Sequence, residues 1–177
     1  MADDSQELIF KTMLKLSFKN SDRNPYKTVS YFNGKVTLCS LIGTATLPLH
    51  LMRIIPVEVM LWAEKNKAVD VDINVYGNIR IKATGKASLS PNDTFSATIG
   101  GRIAEARAKV KMYRFMASFI VRIQDYFSKV LYGNQEIYTM KPATEGLMGD
   151  ALKYKILMVR EELHLSNLIS HAGTKST

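Results

Sequence analysis

The feature of this sequence that most constrains its fold is a change in the spacing of its apolar residues. In the first half of the chain, apolar and polar residues alternate over several short stretches, which is typical of strands with one buried face. From about Phe95 to Leu131 the period changes to about 3.6 residues, which is typical of an amphipathic α-helix. The sequence therefore predicts a sheet followed by a long helix.

A first β-hairpin is predicted in "KTVSYFNGKVTLCSLI". Asn33-Gly34 is a strong turn signal, because a type I′ turn needs positive φ at both central residues. A two-residue loop there pairs Tyr31 with Val36. The apolar residues of the two strands then share one face, so turn chemistry and hydrophobic pattern agree.

A second hairpin is predicted in "AVDVDINVYGNIRIKATGKASL". A three-residue loop at residues 76–78 pairs Val75 with Ile79 and keeps the alternating apolar residues on one face. This register places Asp72 opposite Lys82. A solvated ion pair is therefore favoured over a metal site as the interpretation of the acidic residues on this strand.

Shorter elements complete the first half. Residues 8–18, "LIFKTMLKLSF", alternate like a strand, with a short helix as the alternative. Pro56 suits the first turn of a short helix, "PVEVMLWAEKNK", because the missing N–H of proline costs nothing there. We expect Val57 and Leu61 on the apolar side of that helix.

The second half is predicted to be helical at both ends. The long helix carries an apolar stripe of Ile99, Ile103, Ala106, Val110, Tyr113, Ala117 and Ile120, followed by Phe127 and Leu131. A turn region follows, and a closing helix from Ala151 to about Ser170 carries Leu152, Ile156, Val159, Leu163 and Leu168. We predict one α+β domain over residues 1–170, with a flexible tail over 171–177. Its antiparallel sheet of two hairpins plus the N-terminal strand is packed by the long central helix and the C-terminal helix.

No catalytic apparatus is recognisable. Cys39 is the single cysteine, so neither an intrachain disulfide nor a cysteine-based zinc site can form. His50, His164 and His171 are scattered among a predicted loop, helix and tail, and no nucleophile–base set emerges. We expect a protein that is not an enzyme and carries no metal or cofactor. Its N-terminus, "MADDSQELIF", is acidic where a signal peptide is basic, which predicts a cytoplasmic location.

The strand-to-helix junction at "SPNDTFSATIGGRIAE" raises the question of a phosphate loop. Asp93, Thr94 or Ser96 could cap the helix, and the N–H groups of a helix start favour anions. The glycines, however, match neither a Walker A motif nor G-x-G-x-x-G after a strand. A structural junction is the favoured interpretation.

Positive charge is the main functional signal. The formal net charge is +8 and the pI is about 9.5, which favours polyanionic partners. A row of basic residues follows one face of the long helix: Arg107, Lys111, Arg114, Arg122 and Lys129. Arg102 and Lys109 are close in sequence. This row either follows a phosphate backbone or is an ordinary solvated face.

The second hairpin adds further candidates. Arg80 and Lys82 are expected on its polar face beside Tyr76, and basic strands with an interleaved aromatic residue are typical of single-strand platforms. Core or edge packing accounts for the aromatic residues equally well. The predicted nucleic-acid-binding residues are Arg80, Lys82, Arg102, Arg107, Lys111, Arg114, Arg122 and Tyr76.

Part of the chain resembles a known pattern. The stretch "GKASLSPNDTFSATIGGRIAEARAK" is similar to one in small phage and prophage proteins of mostly unassigned function. The similarity runs through Gly85, Ala87, Pro91, Asp93, Phe95, Gly100, Ile103, Ala104, Arg107 and Ala108. It implies a viral accessory protein in the host cytoplasm. Some phage proteins of this size resemble anti-defence factors that sequester nucleotide messengers, or that bind a host protein, which is the alternative to nucleic-acid binding.

An oligomer is also expected. The long helix would measure about 50 Å, more than the width of a domain of this size, so its end should project. That end, "FMASFIVRIQDYF", is apolar on several sides, which favours a contact between copies of the chain.

Overall fold

The fold is known from a computed structural model that describes residues 14–18, 26–32, 35–53, 55–88, 96–131 and 141–173. Within these residues the strands are β1 (Lys27–Phe32), β2 (Val36–Thr46), β3 (Asp70–Ile73) and β4 (Asn78–Ser88). The helices are α1 (Leu49–Met52), α2 (Val57–Glu64), α3 (Ala97–Leu131) and α4 (Lys141–Gly173). The strands form one antiparallel sheet in the order β1-β2-β4-β3. The predicted α+β class, with a long central helix and a C-terminal helix, is confirmed.

The helix α3 is the centre of the structure. One side packs on β2 and β4 through residues such as Ala104, Ala108 and Met112, which are fully buried. The other side is covered by α4, which follows α3 along its length. Its helical pattern therefore contains more than the one apolar stripe that the sequence analysis identified, because the helix is enclosed from two directions.

Close contact between α3 and β4 depends on a glycine. A Cβ atom built on Gly85 would lie 1.9 Å from the carbonyl oxygen of Ala104, in the backbone of α3. A Cβ atom built on Gly100, near the start of α3, would lie 2.7 Å from the hydroxyl oxygen of Thr37. Ser96 caps α3, since its Oγ accepts a hydrogen bond from the N–H of Ile99. These glycines serve packing, which agrees with the interpretation of the stretch as a structural junction.

The first hairpin forms, but its predicted register is wrong by one residue. Phe32 pairs with Val36 and Tyr31 with Thr37, so three residues separate the strands instead of two. A shift of one residue moves side chains to the other face of a sheet. Val29 thus lies opposite Cys39, on the side facing α3, while Val36 and Leu38 lie on the open side.

The second hairpin also differs from its predicted register. Ile73, not Val75, pairs with Ile79, and residues 74–77 form the loop. The side chain of Asn74 closes this loop by accepting hydrogen bonds from the N–H groups of Tyr76 and Asn78, both at 3.0 Å. Gly77 has the positive φ of 79° that the loop requires. Since the shift is two residues, the apolar residues stay on the intended face.

The N-terminal strand is described only over its last residues. Ser17 forms an antiparallel bridge with Thr44 of β2, through hydrogen bonds of 2.8 and 2.9 Å. Leu14 is completely buried, and its N–H donates to a carboxylate oxygen of Asp150 in α4 at 2.7 Å. The hydroxyl of Tyr154 donates to the Leu14 carbonyl, and burial raises the pKa of this tyrosine to about 12. The segment thereby joins the sheet to α4.

Two expectations about helix surfaces and one about a helix boundary are wrong. In α2, Val57 and Leu61 are exposed, and the helix packs through Ala63 and Trp62 instead. The segment of α3 that was expected to project is covered instead, since α4 packs along α3 and Phe119, Ile123 and Phe127 are buried. The closing helix begins at Lys141, ten residues before its predicted start.

The apolar stripe predicted to bury α4 is mostly exposed. Leu152, Ile156, Val159 and Leu163 all face outward. The buried side of α4 carries Leu147, Ala151 and Tyr154, and Leu157, Met158, Leu165 and Leu168 are partly buried. The helix continues to Gly173, so the first three residues of the predicted tail are helical; residues 174–177 lie outside the described part of the chain.

Candidate nucleic-acid interface

The basic row of α3 begins at an edge of the sheet. Among the described residues, β4 pairs with both neighbours only as far as Lys82, and residues 83–88 pair with β2 alone. Arg107 donates a hydrogen bond to the carbonyl of Lys86, and the Lys111 ammonium donates to the carbonyl of Thr84 at 2.7 Å. These two cations therefore satisfy backbone groups that β3 is too short to reach.

The row then continues past the sheet with more exposed residues. The Arg114 guanidinium donates to Glu162 of α4 at 2.8 Å, yet 63% of its side chain remains exposed. Arg122 lies over the ring of Trp62, with its Cζ atom 4.3 Å from the ring centroid. A guanidinium on an aromatic face keeps its charge and its edge donors available to a ligand.

A groove lies between α3 and α4 at this end of the row. Its volume is about 480 Å³ and it is open to solvent. Three cationic side chains line it, those of Arg114, Arg122 and Lys155, together with a single carboxylate, Asp125. The other lining residues are Ala117, Ser118, Val121 and Met158. The excess of positive charge over an apolar floor suits an anionic ligand.

The predicted residues of the second hairpin are placed differently from the row. Arg80 and Lys82 are exposed on the open face of the sheet, where they lie opposite Asp72 and Asp70 of β3. Neighbouring carboxylates reduce the attraction of these cations for phosphate. Tyr76 is exposed at the loop tip, beyond the ends of both strands, so it does not share their face as the predicted register required.

Arg102 and Lys109 lie on the opposite flank of α3 from the row. Five residues separate Arg102 from Arg107, which places them about 140° apart around the helix axis. Lys109 forms an ion pair with Glu105 at 3.0 Å, and Glu105 also binds Lys27 of β1. Because β1 and β4 are on opposite sides of β2, these cations do not extend the row.

The electrostatics of this opposite flank are those of a structural cluster. Burial disfavours the Glu105 carboxylate, but hydrogen bonds from Lys27 and Lys109 outweigh that cost and hold the pKa of Glu105 below its usual value. The hydrogen bond to Glu105 raises the pKa of Lys27. Each charge has a partner here, so the cluster stabilises the packing of α3 on β1.

Groups with catalytic or metal-binding potential are dispersed in the described residues. Cys39 is fully buried in β2, and burial raises the pKa of its thiol. His164 is exposed on α4. Across the described ranges, no group of three or more His, Cys, Asp or Glu side chains could hold a metal ion.

Sequence reasoning missed Lys155, which lines the groove, and Trp62, which contacts the groove residue Arg122. Lys155 was not predicted as a site residue, because the sequence analysis assigned the wrong side of α4 to the core. The heptad spacing of Leu147, Ala151, Tyr154 and Met158 was the available signal for the correct side. Trp62 approaches Arg122 only through the packing of α2 on α3, for which the sequence carries no local pattern.

Comparisons with known proteins leave the chain without a relative to argue from. No protein-family model, curated protein or solved structure matches it. None of the helices in the described residues has the length and apolar character needed to cross a membrane.

Proposed function

We propose that the protein is a non-enzymatic nucleic-acid-binding protein, which holds a single strand without sequence specificity along the basic row of α3. The observation that carries the proposal is the continuity of the row. It runs from the edge of β4 at Arg107 into a groove where Arg114, Arg122 and Lys155 meet one carboxylate. The net charge of +8 favours a polyanionic partner, and nucleic acid would be an abundant one in the predicted cytoplasmic location.

The dimensions and shape of the row support backbone contact. The exposed cations Arg114 and Lys129 are fifteen residues apart, so the exposed part of the row extends about 22 Å, enough to follow several phosphates of one strand. The sheet and α4 cover α3 on two sides, which prevents the helix from entering a major groove to read base edges. Contacts limited to phosphates carry no direct sequence information.

The test compares two triple variants that lose the same charge. One is Arg114→Gln, Arg122→Gln and Lys129→Gln, all exposed on the row. Its control is Lys35→Gln, Lys65→Gln and Lys67→Gln, exposed cations outside the row. Fluorescence anisotropy with a labelled single-stranded oligonucleotide measures affinity at several salt concentrations, and thermal unfolding by circular dichroism checks that each variant is folded.

The row variant is expected to bind at least about tenfold more weakly at low salt, with a log–log salt slope shallower by about 2, because three phosphate contacts are lost. The control should stay within about threefold of the wild type, an effect of general charge only. Equal losses in both variants, or a wild type that binds neither DNA nor RNA, would rule out the row as the interface.

The groove favours a second candidate function, the sequestration of a small nucleotide. Its volume of about 480 Å³ falls in the range of small-molecule sites, and three cations suit a phosphorylated ligand. The resemblance to phage proteins, which include anti-defence factors, points to a nucleotide messenger. Isothermal titration with mono-, di- and cyclic oligonucleotides separates the candidates. Micromolar or tighter binding of one nucleotide, without binding of longer strands, would replace the first proposal by this one.

A further inference from the structure

The outer surface of α4 carries a second apolar stripe. It consists of Met148, Leu152, Ile156, Val159 and Leu163, and we call it the outer stripe. These positions fall within an arc of about 80° around the helix axis, opposite the side that packs on α3. Leu152 and Leu163, which lie near the middle of this arc, are 58% and 62% exposed. A helix with apolar stripes on two opposite sides is normally covered on both.

We infer that the outer stripe is the interface of a homodimer, in which α4 packs antiparallel against α4 of a second copy. The spacing from Leu152 to Ile156, Val159 and Leu163 is 4, 3 and 4 residues, which is the repeat of a coiled-coil seam. A two-fold axis near residues 157–158 places Leu152 against Leu163 of the second copy and Ile156 against Val159. The surface is thus complementary to itself, as a two-fold interface requires.

The area suits a small dimer interface. The five side chains expose on the order of 500 Å² per copy, at the upper end of the apolar patches that monomers carry. Two copies would bury about 1,000 Å² before the stems of flanking lysines and arginines are added, which reaches the lower bound of specific interfaces. Dissociation constants in the micromolar range are expected.

Charges beside the outer stripe select the orientation. Lys155 and Glu162 flank one side, and Lys153 and Arg160 flank the other. An antiparallel pair puts Lys155 next to Glu162 of the second copy, and Lys153 next to its Arg160. A parallel pair puts Lys155 next to Arg160 twice and creates no attractive pair. The antiparallel arrangement therefore has the better charge complementarity.

The antiparallel orientation predicts opposite effects on dimer affinity for two substitutions that change the net charge by the same amount. Lys155→Glu replaces an attractive pair by a repulsive one and should weaken the dimer, whereas Lys153→Glu removes a repulsion from Arg160 and should tighten it. Each effect is expected to be roughly threefold to tenfold at low salt, since it occurs twice per dimer. In a parallel dimer Lys155→Glu would instead tighten binding.

The experiment measures the mass of the full chain by sedimentation equilibrium from about 1 to about 100 µM, the range suited to an interface of this size. The wild type should shift from monomer to dimer, and the double variant Ile156→Gln, Leu163→Gln should dissociate about 100-fold more readily. Circular dichroism should show this variant folded, because both positions are exposed in the monomer. A monomeric wild type at 100 µM, an unchanged dimer in the double variant, or tightening by Lys155→Glu would overturn the inference.

Discussion

The two halves of the basic row show that cations on the same face of one helix can take different roles. In the half beside the sheet, Arg107 and Lys111 are partly buried and donate to carbonyl oxygens of β4. In the half beside the groove, Arg114 and Arg122 touch side chains and remain exposed. The first pair completes the fold, and the second pair has donors left for a ligand.

The cause of the difference lies outside α3. The strand β3 begins only at Asp70, opposite Lys82, so the rest of β4 presents carbonyls to the nearest cations on the helix. Beyond the sheet, the row meets α2 and α4, which supply a ring and one carboxylate instead of backbone acceptors. A charge pattern alone therefore overstates the number of residues available to a partner.

The largest effect on stability is expected from disturbing the close packing of α3 against β4. Gly85→Ala would place a Cβ atom 1.9 Å from a backbone oxygen of α3, so α3 would have to move away from β4. We expect a loss of about 3 kcal/mol or more in the free energy of unfolding, measured by urea denaturation. Gly149→Ala is the control. Nothing lies within 4 Å of its Cβ position in α4, so this change should stabilise by about 0.5–1 kcal/mol. Equal effects at both glycines would contradict the close approach.

The two halves of the row can be separated by their effects on stability. Arg107→Ala with Lys111→Ala removes two charged donors from β4 carbonyls and should cost about 2–3 kcal/mol in the free energy of unfolding. Arg114→Gln with Arg122→Gln should cost about 1 kcal/mol or less, because an exposed ion pair and one cation–π contact are lost. The reverse order of stabilities would disprove the division into a structural half and an exposed half.

Glu105 tests the flank of α3 opposite the row, where it pairs with both Lys27 and Lys109. Glu105→Gln should destabilise the protein by about 1–2 kcal/mol at neutral pH, because Lys27 and Lys109 lose a charged acceptor. The pKa of Glu105 is depressed in the folded state. Its contribution is therefore present above the unfolded pKa of about 4.3 and is lost as the pH falls through the folded pKa. Urea denaturation between pH 2 and pH 7 should show that acid-dependent loss in the wild type and less of it in the variant.

The smallest effect is expected from Glu162, which pairs with Arg114 in the groove half of the row. Glu162→Gln removes the carboxylate that pairs with Arg114 and should change the free energy of unfolding by about 0.5 kcal/mol or less. Oligonucleotide binding should tighten by about twofold to threefold at low salt, since an anion beside the row disappears. Weaker binding would mean that the ion pair positions Arg114 for the ligand instead of competing with it.

Much of the fold could be predicted from the sequence, because it follows from local patterns. The alternation of strands, the start of α2 after Pro56 and the long helical period all appear in the structure. Registers could not be predicted from the period alone. Hydrogen bonds to the side chain of Asn74 set the second register, and three residues instead of two separate the strands of the first hairpin. The exposed stripe of α4 was mistaken for its buried one because both have helical spacing.

The candidate site was predictable only in part. The row on α3 is continuous in the sequence, so its residues could be found without a structure. The role of Arg107, the contact of Trp62 with Arg122 and the place of Lys155 in the groove depend on which elements pack beside α3. Such tertiary contacts between distant segments decide whether a cationic side chain stabilises the fold or can bind a ligand.

Trp62 provides the most direct test of the central claim, that the groove half of the row binds a nucleic-acid strand. It is the single tryptophan of the chain, and the Arg122 guanidinium lies 4.3 Å from its ring centroid. Titration of an unlabelled single-stranded oligonucleotide should change the fluorescence of Trp62 to saturation, and the fitted affinity should fall by about tenfold or more between 50 and 200 mM salt. Unchanged fluorescence at every salt concentration, or a change that is insensitive to salt, would contradict the claim.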